Sequence, residues 1–260
     1  MWPAPLNPPV RDWSRQRVWI IGASSGIGAA LAHRLLGKGA EVVLSARRQA
    51  RLEEVAGTHP RALVLPHDVT DPASWRQCWA HMREQESLPD LVVFCAADYR
   101  PEQSWQLQHE RVRQTLDTNL AGVYFGLETI LPDLMARQSG GIVLVASVAG
   151  YIGLPGACVY GPGKAALINL AELLHAELRQ HHLGVYLVNP GFVSTRLTAL
   201  NDFSMPAIIS PDDAAAFIVR GLERGRFEIH FPRRFTLWIK LIAMLPYRLR
   251  LPLLRRLARN

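Results

Sequence analysis

Lysine is nearly missing from this chain. Only Lys38, Lys164 and Lys240 occur among 29 basic residues, so any lysine placed beside a reactive group stands out. Cysteine is scarce too: Cys78, Cys95 and Cys158 have neither metal-ligand nor redox spacing, which excludes a disulfide scaffold and points to a reducing, cytoplasmic setting. Two of the three lie in apolar stretches and read as core residues. Cys158, close to the motif described below, reads as lining a pocket. The nine histidines contain no His-x-x-x-His pair, and no metal site is expected. Residues 1–16 hold four prolines and two tryptophans. Without a basic start and an apolar stretch they read as an irregular arm packed on the body, not a signal peptide. Internal repeats and low-complexity linkers are missing as well.

What is present is a large core. At 260 residues and 49% hydrophobic, the chain can fill one α/β domain. Apolar runs at 18–21, 42–44, 62–65, 91–94, 142–146 and 185–188 read as buried parallel strands, because they lack polar alternation. The segments between them have helical length. The expected organisation is an arm at 1–16, one α/β domain at 17–231 and a basic tail at 232–260.

The run at 18–21 leads into Gly22-Ala23-Ser24-Ser25-Gly26-Ile27-Gly28 and then a helical stretch from Ala29 to Lys38. Strand, glycine-rich turn and helix in that order bring backbone N–H groups and a helix N-terminus to one place, where a pyrophosphate is favoured. Gly22 permits the tight turn, Gly26 the approach of backbone to phosphate, and Gly28 close packing of the helix. The next strand, Glu41 to Ser45, ends where an acidic residue would hold a ribose 2′-hydroxyl, and here the chain reads Ala46-Arg47-Arg48. With no carboxylate to repel a 2′-phosphate and two guanidiniums to bind one, NADP(H) is expected over NAD(H).

Tyr160 lies four residues before Lys164 and thirteen after Ser147. Positions i and i+4 share a helix face, so an ammonium can sit beside the phenol. A free tyrosine ionises near pH ~10, and a fixed cation moves it toward working pH. A serine hydroxyl can hydrogen-bond the same carbonyl oxygen as charge develops on it. Gly161, Pro162 and Gly163 separate the pair, and a helix starting near Pro162 is expected, since proline is tolerated in a first turn.

With these residues the chain resembles the short-chain dehydrogenase/reductase family over roughly residues 16 to 230. The glycine loop, Asn119 in Asp117-Thr118-Asn119-Leu120, Ser147, the Tyr160/Lys164 pair and Asn189-Pro190-Gly191 fall in the family's order. The resemblance implies a single Rossmann-type doubly wound domain with a seven-stranded parallel sheet, and hydride transfer between a nicotinamide and a carbonyl or alcohol. It implies Tyr160 as acid/base, Ser147 orienting the substrate, Lys164 lowering the tyrosine pKa and binding the ribose, and Asn119 supporting a proton relay. It further implies cofactor contacts from Ser24, Ser25 and Ile27, from Asp68 and Val69 at the adenine, from Pro190, Gly191 and Val193, and from Thr195 at the carboxamide. Homodimers or homotetramers are implied likewise. Phe94-Cys95-Ala96-Ala97 replaces the family's Asn-Asn-Ala-Gly, so backbone packing after that strand must be achieved differently. A nucleotide-binding regulator without turnover is the alternative on the same fold.

Phe192, Val193, Leu197, Leu200, Phe203, Met205, Ile208 and Ile209 suggest a greasy lid and an apolar, lipid-like substrate. Charge is concentrated beyond it: residues 224–260 hold ten Lys/Arg and only Glu228 as an acid, a net +9, leaving −2 for the rest. The tail has an apolar run at 235–245, too short for the ~20 residues of a spanning helix. Pro246 follows, and then Leu249, Leu253 and Leu257 recur at helical spacing with Arg248, Arg255 and Arg259 on another face. Such a helix suits the inner face of an anionic membrane; a helix pair covering the sheet edge or a dimer contact is the competing reading. Aromatic platforms for nucleic acid are missing, and none is expected as a partner.

Overall fold

A computed structural model describes residues 4–257. Seven parallel strands form one sheet in the order β3-β2-β1-β4-β5-β6-β7: β1 Arg17–Ile21, β2 Glu41–Ser45, β3 Ala62–Val64, β4 Leu91–Phe94, β5 Gly141–Val145, β6 Gly184–Pro190 and β7 Glu228–Phe231. The six apolar runs are six of these strands. The seventh has polar Glu228 and His230 alternating with buried Ile229 and Phe231. An edge strand with polar residues on one face carries no continuous apolar run, and so escapes a search for one.

Side chains alternate across the sheet, giving two cores. Val18 and Ile20 of β1 and Val42 and Leu44 of β2 pack with α1 (Gly26–Leu36) and α7 (Pro211–Glu223). Trp19 and Ile21 face the other way, toward α3 (Pro72–Glu84), α5 (Gly122–Arg137) and α6 (Tyr160–Leu178). Both faces being covered, polar alternation would bury unpaired groups, which is why the central strands are uniformly apolar. Local signals start the helices. Asp71 accepts a hydrogen bond from the Ala73 N–H with Pro72 in the first turn of α3, and Ser210 accepts one from Asp213 with Pro211 opening α7. The shorter α2 (Gln49–Ala56) follows β2, and α4 (His109–Leu116) runs through a wide turn at Asp117–Ala121 into α5.

The proline-rich arm is tied to the body. The buried Asn7 side chain donates to the Val185 carbonyl at 2.6 Å and accepts from its N–H at 2.9 Å, while Trp13 Nε1 donates to Glu223 at 3.0 Å. Beyond β7 come α8 (Arg233–Met244) and α9 (Tyr247–Leu257). Arg259, expected on the polar face of the tail, lies outside the described residues.

Candidate active site

The carboxyl ends of β1, β2, β4, β5 and β6 surround one cleft of about 380 Å³. It lies where the strand order reverses between β1 and β4, the place where an open α/β sheet leaves a crevice. Gly22, Ser24, Ser25, Gly26, Ile27 and Gly28 form its floor. Gly22 has φ +96°, and a Cβ there would lie 2.5 Å from the Ala96 nitrogen; one on Gly28 would lie 2.2 Å from the Gly22 carbonyl oxygen. No side chain fits either place. The Ser25 hydroxyl makes no capping bond at the start of α1, so the first N–H groups of that helix are left for a ligand.

Arg47 and Arg48 after β2, and Asp68 and Val69 after β3, line one end of the cleft. Burial pushes the Asp68 carboxyl up, but the N–H and hydroxyl of Thr70, at 3.0 and 2.8 Å, and the Arg47 charge outweigh it and hold the group below the usual range. His67 also lines the cleft, and burial lowers its pKa to about 4, leaving it neutral. Pro190, Gly191, Val193 and Thr195, from the end of β6 and the segment beyond, line the opposite side.

Ser147, Tyr160 and Lys164 converge on the same cleft. Tyr160 is the first residue of α6, two before Pro162. Proline therefore sits in the first turn, where its missing N–H leaves no bond broken. Gly161 brings this end of the helix close to the turn after Ser147, since a Cβ there would lie 3.2 Å from the Ala149 carbonyl. Lys164 is 2% exposed; its Nζ donates to the Val145 carbonyl at 2.8 Å and stands 5.5 Å from the centroid of the Tyr160 ring. Burial lowers its pKa to about 8. The phenol departs from the expectation of a cation-lowered pKa. Burial pushes Tyr160 up to about 12, the Ser147 hydroxyl opposes that, and Tyr99 and Cys95 add to it. At neutral pH the group is a protonated phenol, the form that can donate a proton.

Asn119 does not line the cleft. Its buried amide clamps the chain leaving β4, accepting from the Asp98 N–H and donating to the Asp98 carbonyl, each at 2.7 Å. The Asp98 carboxylate in turn accepts from the Thr115 hydroxyl at 2.7 Å. This is how the chain manages without the Asn-Asn-Ala-Gly sequence: Cys95 N–H pairs with the Ile21 carbonyl at 2.9 Å, and Asn119 holds the next turn. Cys95 lines the cleft, and Cys158, expected there, does not. Position 95 follows directly on a central strand, so it opens onto the crevice, whereas nearness in sequence misplaced Cys158. Tyr99, unnoticed in the sequence, packs edge-on against Tyr160 with ring centroids 4.9 Å apart and donates to Asn201 at 2.7 Å. No motif marks it; only the fold brings it over the phenol.

Of the expected lid, Val193 and Leu197 line the cleft, while Leu200, Phe203 and Ile208 are exposed. Among the described residues no group of three His, Cys, Asp or Glu side chains is placed to hold a metal ion.

Fold and cleft together define a dinucleotide-type α/β protein with a tyrosine, a lysine and a serine at one end of the crevice. Residues 16–203 match the short chain dehydrogenase family, and the chain belongs to it. It is 32% identical over 241 residues to an uncharacterized oxidoreductase of Myxococcus xanthus, covering 90% of this chain and 94% of that one. Among solved structures it is similar to a short chain dehydrogenase/reductase from Burkholderia phymatum in complex with NAD, with TM-score 0.81, 21% identity and coverage of 89% and 94%. A short-chain dehydrogenase from Sphingobium yanoikuyae in complex with NADPH gives TM-score 0.77, 24% identity and coverage of 89% and 96%. At those identities the two structures establish the fold. The family is one of oxidoreductases that use a nicotinamide cofactor and act on small molecules.

Proposed function

We propose that the protein is an NADP(H)-dependent oxidoreductase that interconverts a carbonyl and an alcohol on an apolar, lipid-like substrate. The observation that carries this reading is the convergence of Ser147, Tyr160 and Lys164 at one end of a cleft whose other end holds the glycine cradle and two arginines. The cradle suits a dinucleotide: a Cβ at Gly22 or Gly28 would fill it, and the N-terminal N–H groups of α1 are open. The cofactor would rest on Gly22, Ser24, Ser25, Gly26, Ile27 and Gly28. Arg47 and Arg48 would grip a 2′-phosphate, Asp68 and Val69 would face the adenine, and Pro190, Gly191, Val193 and Thr195 would flank the nicotinamide. When bound, NADPH supplies the hydride.

The chain's own groups handle the proton. Ser147 holds the substrate oxygen by a hydrogen bond as negative charge develops there. Tyr160, protonated at neutral pH, donates to that oxygen. The Lys164 ammonium, about 5.5 Å from the ring, stabilises the phenolate left behind. Asn119 acts indirectly, by fixing the turn that carries Tyr99 against Tyr160. Val193 and Leu197 add apolar lining to the cleft, which supports an apolar substrate.

For the tail we propose the cytoplasmic face of an anionic membrane. Leu237, Trp238, Leu241 and Met244 form one exposed stripe on α8, and Arg248, Arg255 and Arg256 of α9 are exposed beside exposed leucines. No described helix is long and apolar enough to cross a membrane. Exposed Tyr124 on α5 and Leu173 on α6 support pairing of these long helices into a homodimer or homotetramer.

The deciding experiment is NADPH oxidation against ketones and aldehydes of graded chain length, with wild type and Tyr160→Phe. Wild type turns over, fastest with long chains, and Tyr160→Phe loses at least ~10²-fold in kcat while binding NADPH normally. Retained turnover in the variant removes the acid role. NADPH binding by wild type with every carbonyl left unreduced points to the regulator instead.

A further inference from the structure

Two segments that frame the cleft and helix α8 meet on one carboxylate outside it. Glu228 of β7 accepts a hydrogen bond from Asn189 Nδ2 at 2.9 Å and another from the Tyr151 hydroxyl, and it pairs with the Lys240 ammonium of α8. Lys240 Nζ also stands 5.3 Å from the centroid of the Tyr151 ring. Two of the partners adjoin the site. Tyr151 ends the 3-10 turn Val148–Gly150 that Ser147 caps. That turn abuts α6 at the lysine, because a Cβ on Gly150 would lie 2.7 Å from the Lys164 carbonyl carbon. Asn189 immediately precedes Pro190 and Gly191, which line the cleft.

Helix α8 is fitted to the same place by packing. The Phe235 ring lies 5.5 Å from Phe192, and a Cβ on Gly191 would come within 2.9 Å of Phe235. Thr236 Oγ1 is 2.6 Å from His230 Nδ1, a second tie from α8 to β7. Burial pushes the Glu228 carboxyl up, yet its bonds to Lys240, Tyr151 and Asn189 outweigh burial and keep it ionised. A surface latch for a tail would need the Lys240 contact alone. Here one carboxylate joins the Ser147 turn to the Asn189-Pro190-Gly191 loop, and the lysine neutralises it.

We propose that Glu228 is a positioning residue for the reaction, holding the serine turn and the nicotinamide-side loop in register, and that Lys240 makes α8 a working part of the catalytic unit. This rests on the carbonyl-reductase reading above. Misplacing reacting groups by about 1 Å can cost ~10²-fold in rate, so a partial loosening is expected to show mainly in kcat.

The test compares wild type, Glu228→Gln, Lys240→Met, Lys240→Arg and, as a control on the exposed face of α8, Arg234→Ser. Three quantities are read: kcat and KM for a long-chain ketone, the Kd for NADPH, and amide hydrogen exchange at residues 148–152 and 189–193. We expect Glu228→Gln and Lys240→Met to lower kcat about tenfold or more, with NADPH affinity changed by less than about threefold and faster exchange in both segments. Lys240→Arg, which keeps the charge, should recover part of the kcat that Lys240→Met loses, and Arg234→Ser should stay within about twofold of wild type. Wild-type kcat and unchanged exchange in Lys240→Met and Glu228→Gln overturn the inference, and so does an equal loss in Arg234→Ser. If wild type itself reduces no ketone, the reductase reading fails separately, and exchange in the two segments still decides whether the carboxylate holds them.

Discussion

Helices α1 and α9 are both eleven residues long, and they have opposite relations to the body. α1 buries Gly28, Ala30, Leu31, Ala32, Leu35 and Leu36 between β1 and α7 and points its N-terminus at the cleft. In α9, the described side chains of residues 247–256 are exposed except for half-buried Arg250 and Leu254. It also carries Pro252 in its interior, and a helix this short has little stability of its own. The first helix is held by what it packs against. The second leaves its leucines and arginines exposed to solvent. The difference teaches that similar amphipathic spacing serves a core or a surface according to what the fold places opposite it.

The largest effects should therefore come from the α1 side. Gly28→Val places carbon where the Gly22 carbonyl lies and should abolish folding or NADPH binding, whereas Leu31→Ala should cost about 2–5 kcal/mol in chemical denaturation. Leu253→Ala in α9 should stay within about 0.5 kcal/mol. A comparable loss at both leucines would break the contrast.

Next comes nucleotide choice. A bidentate charge-assisted bond is worth ~1.5–3 kcal/mol, so removing Arg47 or Arg48 should weaken NADPH by about ten- to hundredfold while leaving NADH nearly unchanged, measured by binding titration. Equal losses for both nucleotides would show that the arginines serve only the shared pyrophosphate end.

A pH profile sharpens the role of Lys164. Its folded pKa, about 8, lies below the usual lysine value because of burial. The ammonium is present below that pH and lost above it, so kcat/KM for reduction should be flat up to about pH 8 and fall beyond. Stability runs the other way. Between the folded and unfolded values the unfolded chain binds more protons, so this group's contribution to stability rises with pH through that window and is lost as pH falls through about 8. Falling activity with steady or rising stability above pH 8 distinguishes deprotonation from unfolding.

The smallest change in stability, with a separate change in partner binding, belongs to the tail. Arg255→Ser with Arg256→Ser should leave the melting temperature unchanged and reduce cosedimentation with anionic vesicles, by about 1 kcal/mol per arginine. Trp238→Ser should weaken vesicle binding further through lost apolar contact. Unchanged vesicle binding in both would assign the exposed face to a second copy of the chain or to another protein.

Much of the fold was legible because its signals are local. Each buried parallel strand is an uninterrupted apolar run, and Gly22, Gly26 and Gly28 occupy a strand-turn-helix junction whose backbone geometry demands them. β7 escaped because Glu228 and His230 interrupt its apolar residues, and these two meet polar partners on α8 and neighbouring turns. Among candidate site residues, Arg47, Arg48, Ser147, Tyr160 and Lys164 announced themselves by spacing, and they share a cleft in the structure. Tyr99, Cys95 and Glu228 did not, because their surroundings come from elsewhere in the chain: Tyr160 and Asn201 for Tyr99, the other walls of the cleft for Cys95, and Asn189, Tyr151 and Lys240 for Glu228.

The amino-acid order by itself determined the strand-helix alternation and the glycine-rich turn, and it singled out Ser147, Tyr160 and Lys164 as the proposed proton-handling groups, since each follows from periodicity or from residue chemistry within a few positions. Only the tertiary structure decided that burial, more than the neighbouring lysine, governs the Tyr160 phenol. Only it decided that Asn119 holds a turn and that α8 is bonded to the frame of the cleft. Desolvation and long-range hydrogen bonds depend on what surrounds a group in space, and neighbours along the chain do not specify that.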